Sequence, residues 1–349
     1  MEALAQVIDP ELGKPVTELE MVRDLQIEAG TVTLTIVLTV SGCPLRASFE
    51  EQVQRLVGAV PGVSSVELRF GVMTADERQA LRERLGRRGN AAKRGLSLQE
   101  KTRVLAVCSG KGGVGKSSLS VNLAASLTQL GEKVGVLDAD IYGHSVPQLL
   151  GIHQKPVAVD EMIVPPLAHG LKLMSIGFFV DQNRPVMWRG PMLHKALEQF
   201  LSDVYWGDID TLLVDMPPGT GDVPISLGQL LPKAEVIVVT TPQPLAQEVA
   251  ARAALMAIET GMRLLGVVEN MSYLVGTGQE LFGSGGGEAL AEELGVPLLG
   301  KVPLDPRLRE CGERGEPIVL CEPSSEASAA IRRVAETLVS ERGAQRATG

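Results

Sequence analysis

The stretch VLAVCSGKGGVGKSSLSVNLAASLTQLG, residues 104–131, constrains the fold more than any other part of the chain. A continuous apolar run ends in a glycine-rich loop, and the loop opens directly into a segment with apolar residues at helical spacing. Gly110 to Ser117 matches G-x-x-x-x-G-K-[ST] in a strand–loop–helix setting, the context that gives this pattern its meaning. The glycines let successive backbone N–H groups turn inward onto phosphate oxygens, and the following helix adds the positive end of its dipole. Gly110, Lys111, Gly112, Gly113, Val114, Gly115, Lys116, Ser117 and Ser118 are therefore the expected phosphate cradle. Within it Lys116 reaches the β- and γ-phosphates and the Ser117 hydroxyl ligates Mg²⁺. Lys111, a second lysine inside the loop, is left unexplained by the cradle alone.

Further apolar runs follow in VGVLDAD, TLLVDMP, EVIVVTTP, LLGVVENM and PLLGKVP, several separated by helical patterns such as LAQEVAARAALMAIETG. Continuous Val/Leu/Ile strands alternating with helices predict an α/β fold, a mostly parallel sheet covered by helices on both faces. Upstream, Val32, Leu34, Ile36, Leu38 and Val40 alternate as in a half-buried strand, and Phe49, Val53, Leu56, Val57 and Val60 recur at helical spacing. The expected organisation is a small α+β domain over 1–75, a charged helix and linker over 76–103, the P-loop domain over 104–340 and a polar tail over 341–349.

Two carboxylate motifs sit at strand exits, where parallel α/β sheets place their ligands. LLVDMPPGTGD ends a strand in Asp215, the position of a Walker B aspartate that holds Mg²⁺ through water, and its Pro-Pro-Gly loop can report on the γ-phosphate. VGVLDADIYGHS places Asp138 and Asp140 one residue apart, so that one can serve the metal while the other orients or deprotonates water.

KGGVGKSS, DADIYGHS and DMPPGTGD together resemble the deviant Walker A NTPases, the group that contains MinD, ParA and the arsenical-pump ATPase. The resemblance implies that Lys111 reaches across a homodimer interface to the partner's nucleotide. It likewise implies that Asp140 positions the attacking water, that Asp138 has a Mg²⁺-linked role, that Asn270 contacts adenine, and that the nucleotide is ATP rather than GTP. A lysine delivered in trans would neutralise charge on the transferred phosphoryl group, as arginine fingers do for about 10³- to 10⁵-fold in rate.

YGHSVPQLLG, VMWRGPML, VYWGDIDTLLVDMPPGTGD and ENMSYL followed by FGSGGG narrow the resemblance to the Mrp/ApbC proteins, ATPases that carry iron–sulfur clusters. IDPEL…SGCP resembles the small domain often fused to them. The partners so implied are a second copy of the chain, the apoproteins that receive clusters and scaffold proteins of iron–sulfur assembly. One departure stands out. Many family members carry C-x-x-C between the Asn-Met-Ser and Phe-Gly elements, a pair that two protomers could combine around a [4Fe–4S] cluster. Here Tyr273 to Leu281 contains no cysteine.

The four cysteines, at 43, 108, 311 and 321, are widely scattered, which predicts reduced thiols rather than a disulfide framework. Cys108, at the end of a buried strand, is expected to pack as a small hydrophobe. Cys43 precedes Pro44 at a helix start, where the dipole favours a thiolate, and is the candidate shared or transient iron–sulfur ligand. His144, His153, His169 and His194 show no metal-ligand spacing; His144 lies in the loop expected to sense the γ-phosphate.

With 33 Lys+Arg against 42 Asp+Glu the net charge is −9, which argues against nucleic-acid binding and adhesion to anionic membrane. The acidic N-terminus and the lack of a spanning apolar stretch predict a cytoplasmic protein. The expected function is an ATP-hydrolysing dimeric carrier or assembly factor for iron–sulfur clusters. A nucleotide-switched scaffold without a cluster is the alternative that the missing C-x-x-C favours.

Overall fold

The computed structural model describes residues 1–39, 45–86, 98–140, 143–159, 162–179 and 190–348. Cys43 and Val40 lie outside the described residues. The chain forms two compact units. The first comprises Met1–Ser97 with Pro156–Pro165 and Asp203–Gly207; the second comprises Leu98–Lys155, Pro166–Ser202 and Asp208–Gly349.

In the first unit β1 (Ile8–Asp9) pairs with β2 (Lys14–Pro15), and β3 (Val22–Glu28), β4 (Thr31–Leu38) and β5 (Ser65–Val72) form a three-stranded sheet. Helix α1 (Arg46–Gly58) presents Phe49, Val53 and Val57 inward, and β4 buries Val32, Leu34, Ile36 and Leu38 by alternation, with Val37 buried as well at its end. Val60 falls beyond the end of α1 and is exposed, because the helix stops ahead of the Pro61-Gly62 turn. Helix α2 (Ala75–Gly86) adds Leu81 and Leu85 to the same core.

The second unit begins with β6 (Arg103–Ser109), α3 (Lys116–Gln129), β7 (Val134–Asp138) and α4 (Val146–Leu149). The chain then returns to the first unit as a hairpin, β8 (Val157–Val159) with β9 (Met162–Val164), whose Val159 and Val164 join the small core. Back in the second unit come β10 (Leu167–Ala168), β11 (Leu171–Ser175), α5 (Gly190–Ser202), β12 (Thr211–Asp215), α6 (Asp222–Leu230) and β13 (Glu235–Thr240). The rest is α7 (Pro244–Glu259), β14 (Arg263–Leu274), α8 (Gly286–Leu294), β15 (Leu298–Leu304), α9 (Pro306–Glu313), α10 (Ile318–Cys321) and α11 (Glu326–Thr348).

Eight strands make one sheet in the order β10-β11-β7-β12-β6-β13-β14-β15, parallel except for the β10–β11 pair. Strands β7, β12 and β13 are buried along their whole length, as strands covered on both faces must be. The P-loop strand β6 lies between β12 and β13, and Asp215 pairs in register with Asp138 on one side and Val107 on the other. The sheet topology thereby gathers the exits of β6, β7 and β12 at one edge.

Two expectations are corrected here. Cys311 and Cys321 are joined in a disulfide between α9 and α10, so these two thiols are not free; their separation of ten residues is short enough for adjacent helices to bring them together. The stretch 341–349 does not fray at its start, since α11 runs to Thr348. The helix is tied down at Arg342, which is buried, pairs with Glu132 at 2.9 Å and donates to the Asp210 carbonyl at 3.1 Å. Ser325 caps the other end of that helix by accepting from the Ser328 amide at 3.0 Å. Among the described residues no helix is long and apolar enough to cross a membrane.

Candidate functional site

The loop between β6 and α3 needs glycine at two places. A Cβ on Gly110 would lie 2.1 Å from the Val249 carbonyl carbon, so only glycine lets α7 approach the loop so closely. Gly115 has φ +81° and would drive a Cβ to 2.3 Å from the Asn270 amide nitrogen. The loop lines a cleft of about 720 Å³ together with Asp140, Gly143 and the Pro217-Pro218 turn.

Lys116 is buried at the cleft floor, with its Nζ 2.8 Å from Asp215 Oδ2 and 3.9 Å from Asp140 Oδ2. Ser117 Oγ donates to Asp215 Oδ2 at 2.6 Å, and Ser120 Oγ donates to Asp215 Oδ1 at 2.7 Å. Both oxygens of a fully buried carboxylate are thus satisfied by P-loop helix residues. Asp138, equally buried, accepts from Ser175 Oγ at 2.9 Å and from the Asp140 amide at 3.2 Å. Burial first, and then the neighbouring Asp215 carboxylate, push Asp138 up to about 7. Asp140 turns the other way, its Oδ1 accepting from the Gly143 amide at 2.9 Å.

Three buried acids thus face a single buried ammonium. That charge excess, with an all-oxygen donor set that includes the Ser117 hydroxyl, fits a hard divalent cation such as Mg²⁺. Among the described residues there is no cluster of three or more His, Cys, Asp or Glu side chains arranged to hold a metal ion by themselves. The fit therefore depends on the hydroxyl and on phosphate oxygens.

Lys111 is half-buried, and its Nζ donates to Gln243 Oε1 at 3.2 Å, an oxygen that also accepts from Thr241 Oγ1 at 3.0 Å. Asn270 donates from Nδ2 to the Val114 carbonyl at 2.8 Å, tying β14 to the P-loop. The next residue, Met271, holds a left-handed backbone with φ 58°, a conformation costly for a long side chain. Both line a second cleft of about 350 Å³ with Pro303, Leu304, Asp305 and Leu308, and this cleft shares Gly115, Ser118 and Ser145 with the first.

Three contributors carry no motif: Ser120, Ser175 and Gln243. Ser120 lies one helical turn after Lys116, a spacing that puts both on one face of α3. The wall from Pro303 to Asp305 lies at the exit of β15, the same sheet edge as the motifs. Cys108 is buried beneath the loop and pushed up to about 12 by that burial. His144 packs on Gly177 and stays close to Asp140 through an amide-to-carbonyl bond of 2.8 Å. In place of C-x-x-C, residues 274–279 form a tight turn with Gly276 and Gly278 at positive φ, closed by Leu274 N–H to Gln279 O at 2.9 Å.

Comparison with known proteins agrees with this geometry. The family described as NUBPL iron-transfer P-loop NTPase matches residues 100–339, and the iron-sulfur cluster assembly protein family matches residues 1–68. An iron-sulfur cluster carrier protein from Mycobacterium leprae is 49% identical over 351 residues, covering 97% of this chain and 91% of its own length. One from Synechocystis sp. is 43% identical, covering 97% and 95%. A nucleotide-binding protein from Archaeoglobus fulgidus, solved in complex with ADP, superposes with TM-score 0.54 at 37% identity over 61% of this chain and 86% of that one. MinD from Pyrococcus horikoshii, with TM-score 0.52 at 24% identity over 68% and 96%, shares the fold. The nucleotide-binding P-loop and the match along nearly the whole chain lead to one conclusion: this chain belongs to the iron–sulfur cluster carrier family of P-loop NTPases.

Proposed function

We propose that the chain hydrolyses ATP as a homodimer and couples turnover to the carriage of an iron–sulfur cluster, its cargo, to apoproteins in the cytoplasm. The observation that carries the ATPase part is the network in which Lys116, Ser117 and Ser120 converge on Asp215 beneath a glycine loop. In this reading the phosphates occupy the 720 Å³ cleft and the base the 350 Å³ cleft beside Asn270 and Pro303. Ser117 and Asp215, with Asp138 behind them, would hold Mg²⁺, which there supplies neutralisation of phosphate charge. Asp140, held by the Gly143 amide, orients the attacking water. Lys111 exchanges Gln243 for the partner's nucleotide when two copies meet.

The experiment is turnover and sedimentation of Lys111→Ala and Asp140→Ala with Mg²⁺ and ATP. The expected result is loss of hydrolysis by about 10³-fold in Lys111→Ala with nucleotide still bound to the monomer. Asp140→Ala should hold ATP in a trapped dimer. Unchanged turnover in Lys111→Ala sinks the trans-lysine role, and normal hydrolysis in Asp140→Ala moves water positioning to Asp138.

For the cargo, Cys43 is the thiol we assign as a transient ligand. A second reading is favoured by the cysteine-free glycine turn at 274–279: a nucleotide-switched scaffold that recruits partners without a cluster. Anaerobic iron and acid-labile sulfide counts on reconstituted wild type and Cys43→Ser separate the two. Stoichiometric iron lost in the variant supports carriage; iron absent from both supports the scaffold.

A further inference from the structure

The disulfide between Cys311 and Cys321 joins two elements that serve the nucleotide clefts from different sides. Helix α9 is a wall of the 350 Å³ cleft through Leu308, Arg309 and Gly312. It also packs closely on the Leu149 side chain of α4, and the turns that follow the two helices meet backbone to backbone at Gly315 and Gly151. A Cβ on Gly312 would lie 2.8 Å from Leu149, and one on Gly315 would lie 2.4 Å from the Gly151 Cα. Helix α10 instead is anchored on the P-loop helix. The Val319 amide donates to Asn122 Oδ1 at 3.3 Å, and Gln129 Nε2 donates to the Val319 carbonyl at 3.4 Å. The bond is thus a brace from the base-cleft wall to the helix whose N-terminus carries Lys116 and Ser117.

The two sulfurs differ in their surroundings. Cys311 is fully buried, and its sulfur accepts from Arg314 Nη2 at 3.4 Å; Cys321 is half-buried. We infer that this disulfide is a thiol–disulfide exchange site for small thiols, entered at Cys321, whose opening loosens the base-cleft wall. An incoming thiolate forms a bond to Cys321 Sγ while the Cys311–Cys321 bond breaks, and the electron pair leaves on Cys311, where the Arg314 guanidinium meets the charge. A second small thiol attacks the mixed disulfide and releases Cys321. The sum is one protein disulfide and two small thiols giving two protein thiols and one small disulfide, and the reverse closes the brace. The effect on the base cleft rests on the nucleotide reading proposed above; the exchange chemistry does not.

The test uses full-length protein purified without reductant, with reduced glutathione as the thiol and ADP as the ligand. Exchange is followed by quenching with N-ethylmaleimide and weighing the peptides that carry 311 and 321. The expected result is a cross-linked pair before glutathione, a transient adduct on Cys321 only, and an opening rate slowed about tenfold in Arg314→Gln. ADP affinity by calorimetry should fall at least about fivefold on opening. Cys321→Ser should bind like the opened form with or without reductant, and Cys321→Ala serves as a second uncrosslinked variant. Both cysteines labelled in unreduced native protein, or an adduct on Cys311, overturns the exchange site. Equal ADP affinity in opened and closed protein overturns the brace. If neither form binds ADP, the nucleotide reading of the cleft falls, and the exchange site is judged on the peptide masses alone.

Discussion

Single side chains decide the chemistry at the sheet edge. Ser120→Ala would leave Asp215 Oδ1 buried without its donor, and a buried charge short of one hydrogen bond costs about 1–3 kcal/mol. Urea unfolding should show that loss, whereas Ser118→Ala, whose hydroxyl meets no such carboxylate in this network, should stay close to wild type. Asp138 makes a pH prediction of definite sign. Its ordinary value is 3.8 and its folded value about 7, so between about pH 4 and 7 the folded protein keeps a proton that the unfolded chain has lost. Stability from this group is present below the lower value and declines as pH rises through the upper one. In Mg²⁺-free buffer, wild type should therefore lose stability across that window relative to Asp138→Asn, and parallel curves would show that Asp138 ionises normally. Cys108, pushed up to about 12, should resist alkylation at pH 8 in native protein and react only after unfolding. At this scale the sequence was most readable where a residue belongs to a spaced motif: Lys116, Ser117, Asp138, Asp140 and Asp215 all meet at one place. Ser175 and Gln243 were not legible, because their partners Asp138 and Lys111 are 37 and 132 residues away and single hydrogen-bonding side chains leave no periodic trace.

At the scale of elements, close approach sets the tolerances. Gly110→Ala must displace α7 or the loop, since the added carbon would sit inside backbone contact distance of Val249. The expected cost is about 1–3 kcal/mol for overpacking, with ADP binding lost in the same variant. Thermal unfolding and calorimetry check both parts, and a variant that keeps wild-type ADP affinity would show that the loop accommodates the methyl group. The six apolar runs read as strands are all in the large sheet, where continuous Val, Leu and Ile between helices suit a parallel sheet covered on both faces. Strand β11, LKLMS, leaves little trace in the sequence because its five residues mix a lysine into the run and its neighbour β10 is only two residues long. The disulfide was missed for a different reason. Sequence separation says little about whether two short helices turn their cysteines toward each other.

At the scale of the whole molecule, the first unit is assembled from three separated pieces of chain. Val159 and Val164 of the β8–β9 hairpin are buried in the same core as Leu34, Phe49 and Leu81, and Tyr205 Oη donates to the Leu12 carbonyl at 3.4 Å. No sequence pattern announces that insertion, since a valine hairpin looks the same whichever core it fills. A ribosome releases residues 1–97 long before it releases 156–165 and 203–207, so the small core is complete only after more than half the chain has emerged. Until then its sheet edge and the apolar sites awaiting those valines stay open to other proteins in the cell, and the unit whose synthesis begins first cannot close before the chain has passed residue 207.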